Sequence, residues 1–213
     1  MNIQPLKAQQ LVILVDNDSN QTQEELHKLT KDVIAEIEFE KALDLGFGNM
    51  QLILDVANQF NDKHFVLEDI DSALCNKRKM LQCINDHGYK EVDSSKIQIV
   101  TGTRSSTGIV NESFDLIIMS SMVHLIAGND SLWNDLRSLI SPNGVVMISD
   151  AFYPNKPKAH PGCDAPFLSF QELEELIKTQ KLSIEKEWRL KGIKTKSNGA
   201  YEHRILLTKF KES

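Results

Sequence analysis

An acidic residue followed by two closely spaced glycines is the part of this sequence best suited to binding a cofactor. The segment Asp44-Leu-Gly-Phe-Gly48 comes at the end of a short apolar run. Glycine lets the backbone turn sharply and approach a ligand without a Cβ in the way, and the N–H groups at the start of a following helix attract anionic groups. A dinucleotide fingerprint needs a further glycine at position 51, where this chain has Gln51. The loop therefore predicts a cofactor site and disfavours NAD and FAD.

A second acidic group follows the next apolar run, at 64–71. An acid about 20 residues beyond such glycines can accept hydrogen bonds from the two hydroxyls of a ribose. Asp69 has this spacing. Glu68 and Asp71 compete with it, because strand alternation places neighbours on opposite faces without fixing which face meets the ligand.

His124 is the residue whose type fits proton transfer. It follows the apolar run 114–120, at the edge of the predicted sheet where open α/β folds bind ligands, so its imidazole could act as a general base. The alternative is a histidine packed at a helix start and bonded to the backbone, and both interpretations stay open. His160 and Cys163 are too few ligands for a metal site, and none is predicted.

Short β-rich runs alternate with helix-period segments from about residue 40 onward, which indicates βαβ units. The predicted strands are 41–45, 64–70, 96–100, 114–120 and 144–149. The helices between them are 49–60, 72–87 and 131–140, and Ser-Phe-Gln-Glu172 caps a further helix that begins at Ser169. Right-handed crossovers then give a three-layer α/β/α sandwich with a mostly parallel sheet.

The two ends of the chain complete the predicted fold. Residues 182–190 and 201–210 read as strands of an antiparallel hairpin beside the sheet. Residues 1–38 are predicted to form a helical cap segment, with one helix near 11–15 and another that Thr22 caps. The chain is thus divided into this cap, 1–38, and a cofactor-binding domain, 39–213.

These segments, taken in order, resemble the class I S-adenosylmethionine-dependent methyltransferases, which have a seven-stranded sheet of the Rossmann type. In that family an apolar strand ends in Asp or Glu and leads into x-Gly-x-Gly, and a later helix, turn and strand match 136–150 closely. The resemblance implies that Asp69 is the ribose acid and that the cofactor is S-adenosylmethionine. The implied cofactor residues are Asp44, Gly46, Phe47, Gly48, Asn49, Asp69, Ile70, Gly102, Thr103, Arg104 and Ser120, and His124 is the implied catalytic residue.

Two positions depart from the family pattern. Met50 occupies the usual third glycine position, and Thr103 replaces the acid that many members carry near the adenine amino group. The main prediction is a methyltransferase that acts on a small molecule. The alternative is a non-catalytic relative that binds the cofactor or a protein partner through the same scaffold.

Composition excludes several other classes of function. A net charge of −6 and a pI near 5.5 disfavour charge-driven binding to nucleic acid. The three cysteines show no CxxC spacing, which fits a reducing, cytoplasmic environment. No targeting or membrane segment is predicted, because the longest apolar run covers only residues 11–15.

Overall fold

The structure is a computed structural model that describes residues 9–14, 19–103, 105–155, 165–195 and 199–211. Its strands are β1 (Gln9–Leu14), β2 (Lys41–Leu45), β3 (His64–Asp69), β4 (Ile97–Thr101), β5 (Phe114–Ser120), β6 (Ile140–Tyr153), β7 (Leu168–Ser169), β8 (Leu182–Thr195) and β9 (Gly199–Phe210). Its α-helices are α1 (Ser19–Ala35), α2 (Gln51–Gln59), α3 (Lys77–His87), α4 (Val123–Ile126), α5 (Asp130–Leu139) and α6 (Phe170–Thr179).

The strands form a nine-stranded sheet in the order β1-β8-β9-β6-β5-β2-β3-β4, with β7 paired to β6. β9 runs antiparallel to β6 and β8, and the other pairs are parallel. The predicted α/β fold with an inserted antiparallel strand is therefore confirmed. The sheet exceeds the predicted seven strands by β1 at one edge and by the short β7.

The helix predicted over residues 11–15 is wrong, because residues Gln9–Leu14 form β1. β1 pairs in parallel with β8, with Leu11 opposite Trp188. Without β1, β8 would be an edge strand, and the β-branched Val12 and Ile13 favour a strand that covers this edge. The second predicted helix of this segment is present as α1.

Two apolar layers hold the helices to the sheet. Residues of α1 and α2 pack with one face of the strands, through side chains such as Val33, Ile34 and Leu54. Residues of α5 and α6 pack with the other face, around the fully buried Trp133. The strands are apolar on both faces because helices cover both. Within the described ranges, no helix has the length and apolar character needed to cross a membrane.

The parallel direction of β2, β3, β4, β5 and β6 brings their carboxyl ends to one edge of the sheet. The chain order of these strands, β2 to β4, runs outward from β5, so the direction of winding changes between β2 and β5. Open α/β sheets bind ligands outside such a switch point. The candidate site is therefore built by the loops that follow these strands.

Candidate functional site

The glycine loop between β2 and α2 has a backbone that only glycine adopts without strain. Gly46 and Gly48 have φ values of 75° and 54°, in the left-handed region. A Cβ at Gly46 would overlap the side chain of Met122, which follows β5. The backbone geometry thus requires glycine at both positions. At Gly46 the loop also lies close against the side chain of Met122.

Met50 takes a left-handed conformation of the kind that favours glycine. Its φ is 63°, it precedes the first residue of α2, and its side chain is 4% exposed within the core. Its N–H donates to the carbonyl of Phe47 at 3.0 Å, which closes the turn into the helix. The loop therefore keeps a left-handed residue at this position, at a cost in backbone strain of about 1–2 kcal/mol.

Asp69 ties the glycine loop to the end of β3. Its carboxylate accepts hydrogen bonds from the N–H of Gly48 at 3.2 Å and from the N–H of Asp71 at 2.9 Å. Ile70, beside it, is 52% exposed, which is unusual for a large apolar side chain. Asp71 is exposed and caps its own turn by accepting from the N–H of Ala73 at 2.9 Å. Of the acids predicted here, Asp69 is the one that the structure joins to the glycines.

Asp44 lies beneath the glycine loop, on the same sheet face as Asp69. It is 3% exposed, and burial, followed by the charge of Asp69, raises its pKa to about 7. A carboxylate in this setting gains from any cation placed near it, because an opposite charge would offset both causes. The pair makes this part of the edge suited to a cationic ligand group.

Glu68, one of the two acids that compete with Asp69 in the sequence, faces the opposite side of the sheet. It is 1% exposed, and its Oε2 has no hydrogen-bond partner among the described atoms. A Cβ at Gly102 would overlap the Glu68 carboxylate, so glycine at that position makes room for it. Burial, followed by the charges of Asp135 and Asp69, raises the pKa of Glu68 to about 8. The side chain underlies the loop after β4.

That loop is held by its own hydrogen bonds. The N–H of Gly102 donates to the carbonyl of Asp69 at 3.0 Å, and the N–H of Thr103 donates to the carbonyl of Ser106 at 2.8 Å. The Thr103 hydroxyl accepts from the N–H of Ser106 at 3.1 Å. Thr103 is therefore engaged within its turn, while Gly102 is joined to the backbone of Asp69. Arg104 lies outside the described residues.

His124 is buried and paired with an aspartate. Its Nδ1 lies 2.8 Å from the Asp150 carboxylate at the end of β6, and its backbone N–H donates to the same oxygen at 3.3 Å. The His124 side chain is 3% exposed and packs against Phe167, with 4.8 Å between ring centroids. The predicted alternative of a packed histidine thus describes its surroundings well, although the partner is a carboxylate. Sequence reasoning could have identified Asp150 only as a polar residue at the end of a predicted strand.

Ser120 ends β5 at the same edge and is half-buried. The next residue, Ser121, has a φ of 55°, and its N–H donates to the carbonyl of Ser149 at 2.7 Å. This turn brings Ser121 into a cleft of about 580 Å³ between α1 and the start of α2, which Asn49 also lines. The cleft thus opens beside the glycine loop.

No group of three or more His, Cys, Asp or Glu side chains suited to a metal ion occurs in the described part of the chain. His160 and Cys163 lie outside it.

Comparison with solved structures identifies proteins that share this architecture. An S-adenosylmethionine-dependent methyltransferase from Methanosarcina mazei matches with a TM-score of 0.65 at 15% identity, over 84% of this chain and 98% of that one. The chain has the class I methyltransferase fold. An O-methyltransferase from a Brevibacillus brevis multienzyme, solved with S-adenosylhomocysteine, matches with a TM-score of 0.61 at 16% identity, over 79% of this chain and 56% of that one.

The same fold also carries other chemistry. The cyclase SpnF matches this chain with a TM-score of 0.65 at 11% identity, over 88% of this chain and 82% of that one. No protein-family model and no curated protein sequence matches the chain. At these identities the methyltransferase fold is established, and the activity has to be argued from the site.

We predict that glycine is better tolerated than alanine at position 50. Met50→Ala should lower the free energy of unfolding by about 2–5 kcal/mol, because it removes a buried side chain. Met50→Gly loses the same packing but relieves the left-handed strain, so it should be more stable than Met50→Ala by about 1 kcal/mol. Urea denaturation measures both. At Ile53, inside α2, the order should reverse, with alanine the more stable variant. An alanine variant at position 50 as stable as the glycine variant would contradict the strain.

A second prediction concerns Glu68 and pH. Because its folded pKa of about 8 lies above its ordinary value of 4.5, the native state binds a proton that the unfolded chain releases, and stability falls as pH rises between these values. Glu68→Gln keeps the neutral form, so its advantage over the parent should grow by about 3–4 kcal/mol from pH 5 to pH 8. Denaturation at several pH values tests this, with the exposed Glu91→Gln as the control. Parallel profiles for parent and Glu68→Gln would refute the assignment.

Proposed function

We propose that the chain binds S-adenosylmethionine at the carboxyl edge of the sheet and transfers its methyl group to a small molecule. The observation that carries the proposal is the hydrogen bond from the Gly48 N–H to Asp69, because it joins the glycine loop and the ribose acid into one site. The methyltransferase fold supports it. So does the structure of the O-methyltransferase that was solved with S-adenosylhomocysteine, the demethylated product.

Each predicted cofactor residue has a role in this proposal. Asp69 accepts hydrogen bonds from the ribose hydroxyls, and the exposed Ile70 packs against the adenine ring. The backbone from Gly46 through Phe47 to Asn49 approaches the amino-acid portion. Asp44, whose pKa burial and the charge of Asp69 raise to about 7, favours the cationic end of the ligand.

The remaining predicted residues surround the other parts of the ligand. Gly102, Thr103 and Arg104 follow β4 and are proposed to border the adenine. Ser120 ends β5 and is proposed to lie near the transferred methyl group. When bound, S-adenosylmethionine supplies a methyl group whose bond to sulfur breaks as the acceptor atom attacks, leaving a neutral thioether. The protein then mainly has to align the two molecules.

His124 is proposed to position the loop after β5 rather than to contact the acceptor. Its bonds to Asp150 fix the start of α4 against β6, and burial leaves little of the imidazole accessible. The general-base role predicted from the sequence stays a prediction.

A second candidate is a relative that binds the cofactor without transferring its methyl group. Thr103 favours it, because a hydroxyl engaged in its own turn replaces the expected acid beside adenine. The similarity to the cyclase SpnF shows that this fold is not restricted to methyl transfer.

Calorimetric titration tests the cofactor. We expect binding of S-adenosylmethionine and S-adenosylhomocysteine and none of NAD. Asp69→Asn should weaken both by about 10- to 100-fold, because hydrogen bonds to a charged acceptor contribute about 1.5–3 kcal/mol. Asp71→Asn is the matched control and should bind as the parent does. Absence of heat with both sulfur compounds would reject the proposal, and unchanged affinity of Asp69→Asn would reject the assigned acid.

Substitution of His124 separates the two roles of that residue. His124→Ala removes the imidazole partner of the buried Asp150, leaving it only backbone donors, and should cost about 3–5 kcal/mol of stability. His124→Asn retains an N–H donor and should recover part of it. If His124 only positions the loop, His124→Asn also keeps most of the turnover, measured as S-adenosylhomocysteine formed. Loss of turnover in a stable His124→Asn protein would instead support the general base.

A further inference from the structure

The cleft beside the glycine loop has a cationic wall. His27, Lys28 and Lys31 of α1 line one side, and Asn49 and Asp55 lie on the side of α2. Because Asn49 directly follows Gly48, anything bound in this cleft adjoins the proposed cofactor loop. The volume of about 580 Å³ lies within the range of small-molecule pockets, about 300–1,000 Å³.

The charges of the described residues that line the cleft do not cancel. Asp55 is the one carboxylate among the described residues that line it. It hydrogen-bonds to His27 and lies 3.8 Å from the Lys31 ammonium. Lys28 is exposed and forms no ion pair within the described ranges. The cleft thus has an excess of positive charge on a protein whose net charge is −6. A local excess in a concave site attracts anions even where the whole protein is acidic.

The cationic wall belongs to α1, and the opposite face of this helix is buried in the core. Val33 and Ile34 of α1 are 1% and 0% exposed, so the helix is anchored in the core. His27 and Lys31 are four residues apart and therefore share one face of the helix, directed at Asp55 of α2. Ordering these groups before a ligand arrives lowers the entropic cost of binding.

We propose that this cleft binds the methyl acceptor and that the acceptor carries a carboxylate or phosphate group, which Lys28 and Lys31 hold. The inference rests on the proposed function, since it is the neighbouring loop that makes the occupant an acceptor. Lysine ammonium groups bind both kinds of anion as point charges. Asn49 and Ser121 offer uncharged hydrogen-bonding groups to the rest of the molecule. The other possible source of such an anion is the cofactor's own carboxylate, but one carboxylate fills only a small part of this cleft.

The test compares Lys28→Gln/Lys31→Gln with Lys77→Gln/Lys79→Gln, which removes the same charge from exposed positions of α3. Calorimetry measures S-adenosylhomocysteine first, and then benzoate, inorganic phosphate and the neutral benzamide on the protein loaded with S-adenosylhomocysteine. We expect the cleft variant to bind benzoate and phosphate at least about tenfold more weakly and S-adenosylhomocysteine within about twofold of the parent. The α3 variant should match the parent, and benzamide should bind the parent more weakly than benzoate.

Each result that would contradict the inference can be distinguished from the expected one. If the cleft variant loses S-adenosylhomocysteine but keeps 5′-methylthioadenosine, which lacks the carboxylate, the lysines hold the cofactor and the inference is wrong. If both anions bind parent and cleft variant alike, or bind neither, there is no anion site for an acceptor. If the parent itself does not bind S-adenosylhomocysteine, the proposed function fails, and the acceptor assignment fails with it. The anion titrations on the unloaded protein then still report whether the cleft binds anions.

Discussion

The site depends on one backbone constraint, the left-handed turn after β2 that brings peptide N–H groups to the edge of the sheet. Gly46, Gly48 and Met50 all have positive φ in this turn. The turn is tied to β3 twice, because the Gly46 N–H donates to the Glu68 carbonyl at 2.7 Å and the Gly48 N–H donates to the Asp69 carboxylate. One carboxylate therefore organises the loop and is also the group proposed to meet the ribose. A ligand that engages Asp69 meets a site already shaped, which limits the ordering that binding requires.

The charges around this turn are divided between its two sides. Asp44 and Asp69 lie below it, where burial and then mutual repulsion raise the pKa of Asp44. Lys28 and Lys31 lie across the cleft on α1. A sulfonium donor near the first pair and an anionic acceptor near the second would each be held by charge of the opposite sign. The polarity of the site thus agrees with the proposed transfer, in which the two reactants would lie on different sides of Asn49.

The sequence was most informative where local chemistry decides the structure. Glycine spacing identified the loop, apolar runs identified the parallel strands, and the capping box at Ser169 is present with both of its hydrogen bonds. Prediction failed where partners distant in the sequence decide. β1 forms because β8 has an open edge, which residues 11–15 do not reveal on their own. Glu68 could be named as an acid near a ribose, but its burial beside Gly102 and Asp135 requires the packing of β4 and α5 against β3. The cleft likewise exists only because α1 and α2 lie together.

Met50 and Thr103, the two departures from the family pattern, have different structural consequences. Met50 has the left-handed backbone that favours glycine and a side chain buried in the core, so the turn into α2 forms with methionine at this position. Thr103 is different, because its hydroxyl is engaged in the turn that it begins, and the buried acid Glu68 packs against Gly102. If cofactor affinity has drifted in this protein, the adenine end of the site is therefore the place where the structure allows it. The glycine loop and Asp69, which are proposed to meet the amino-acid portion and the sugar, are joined by the Gly48 hydrogen bond into one arrangement.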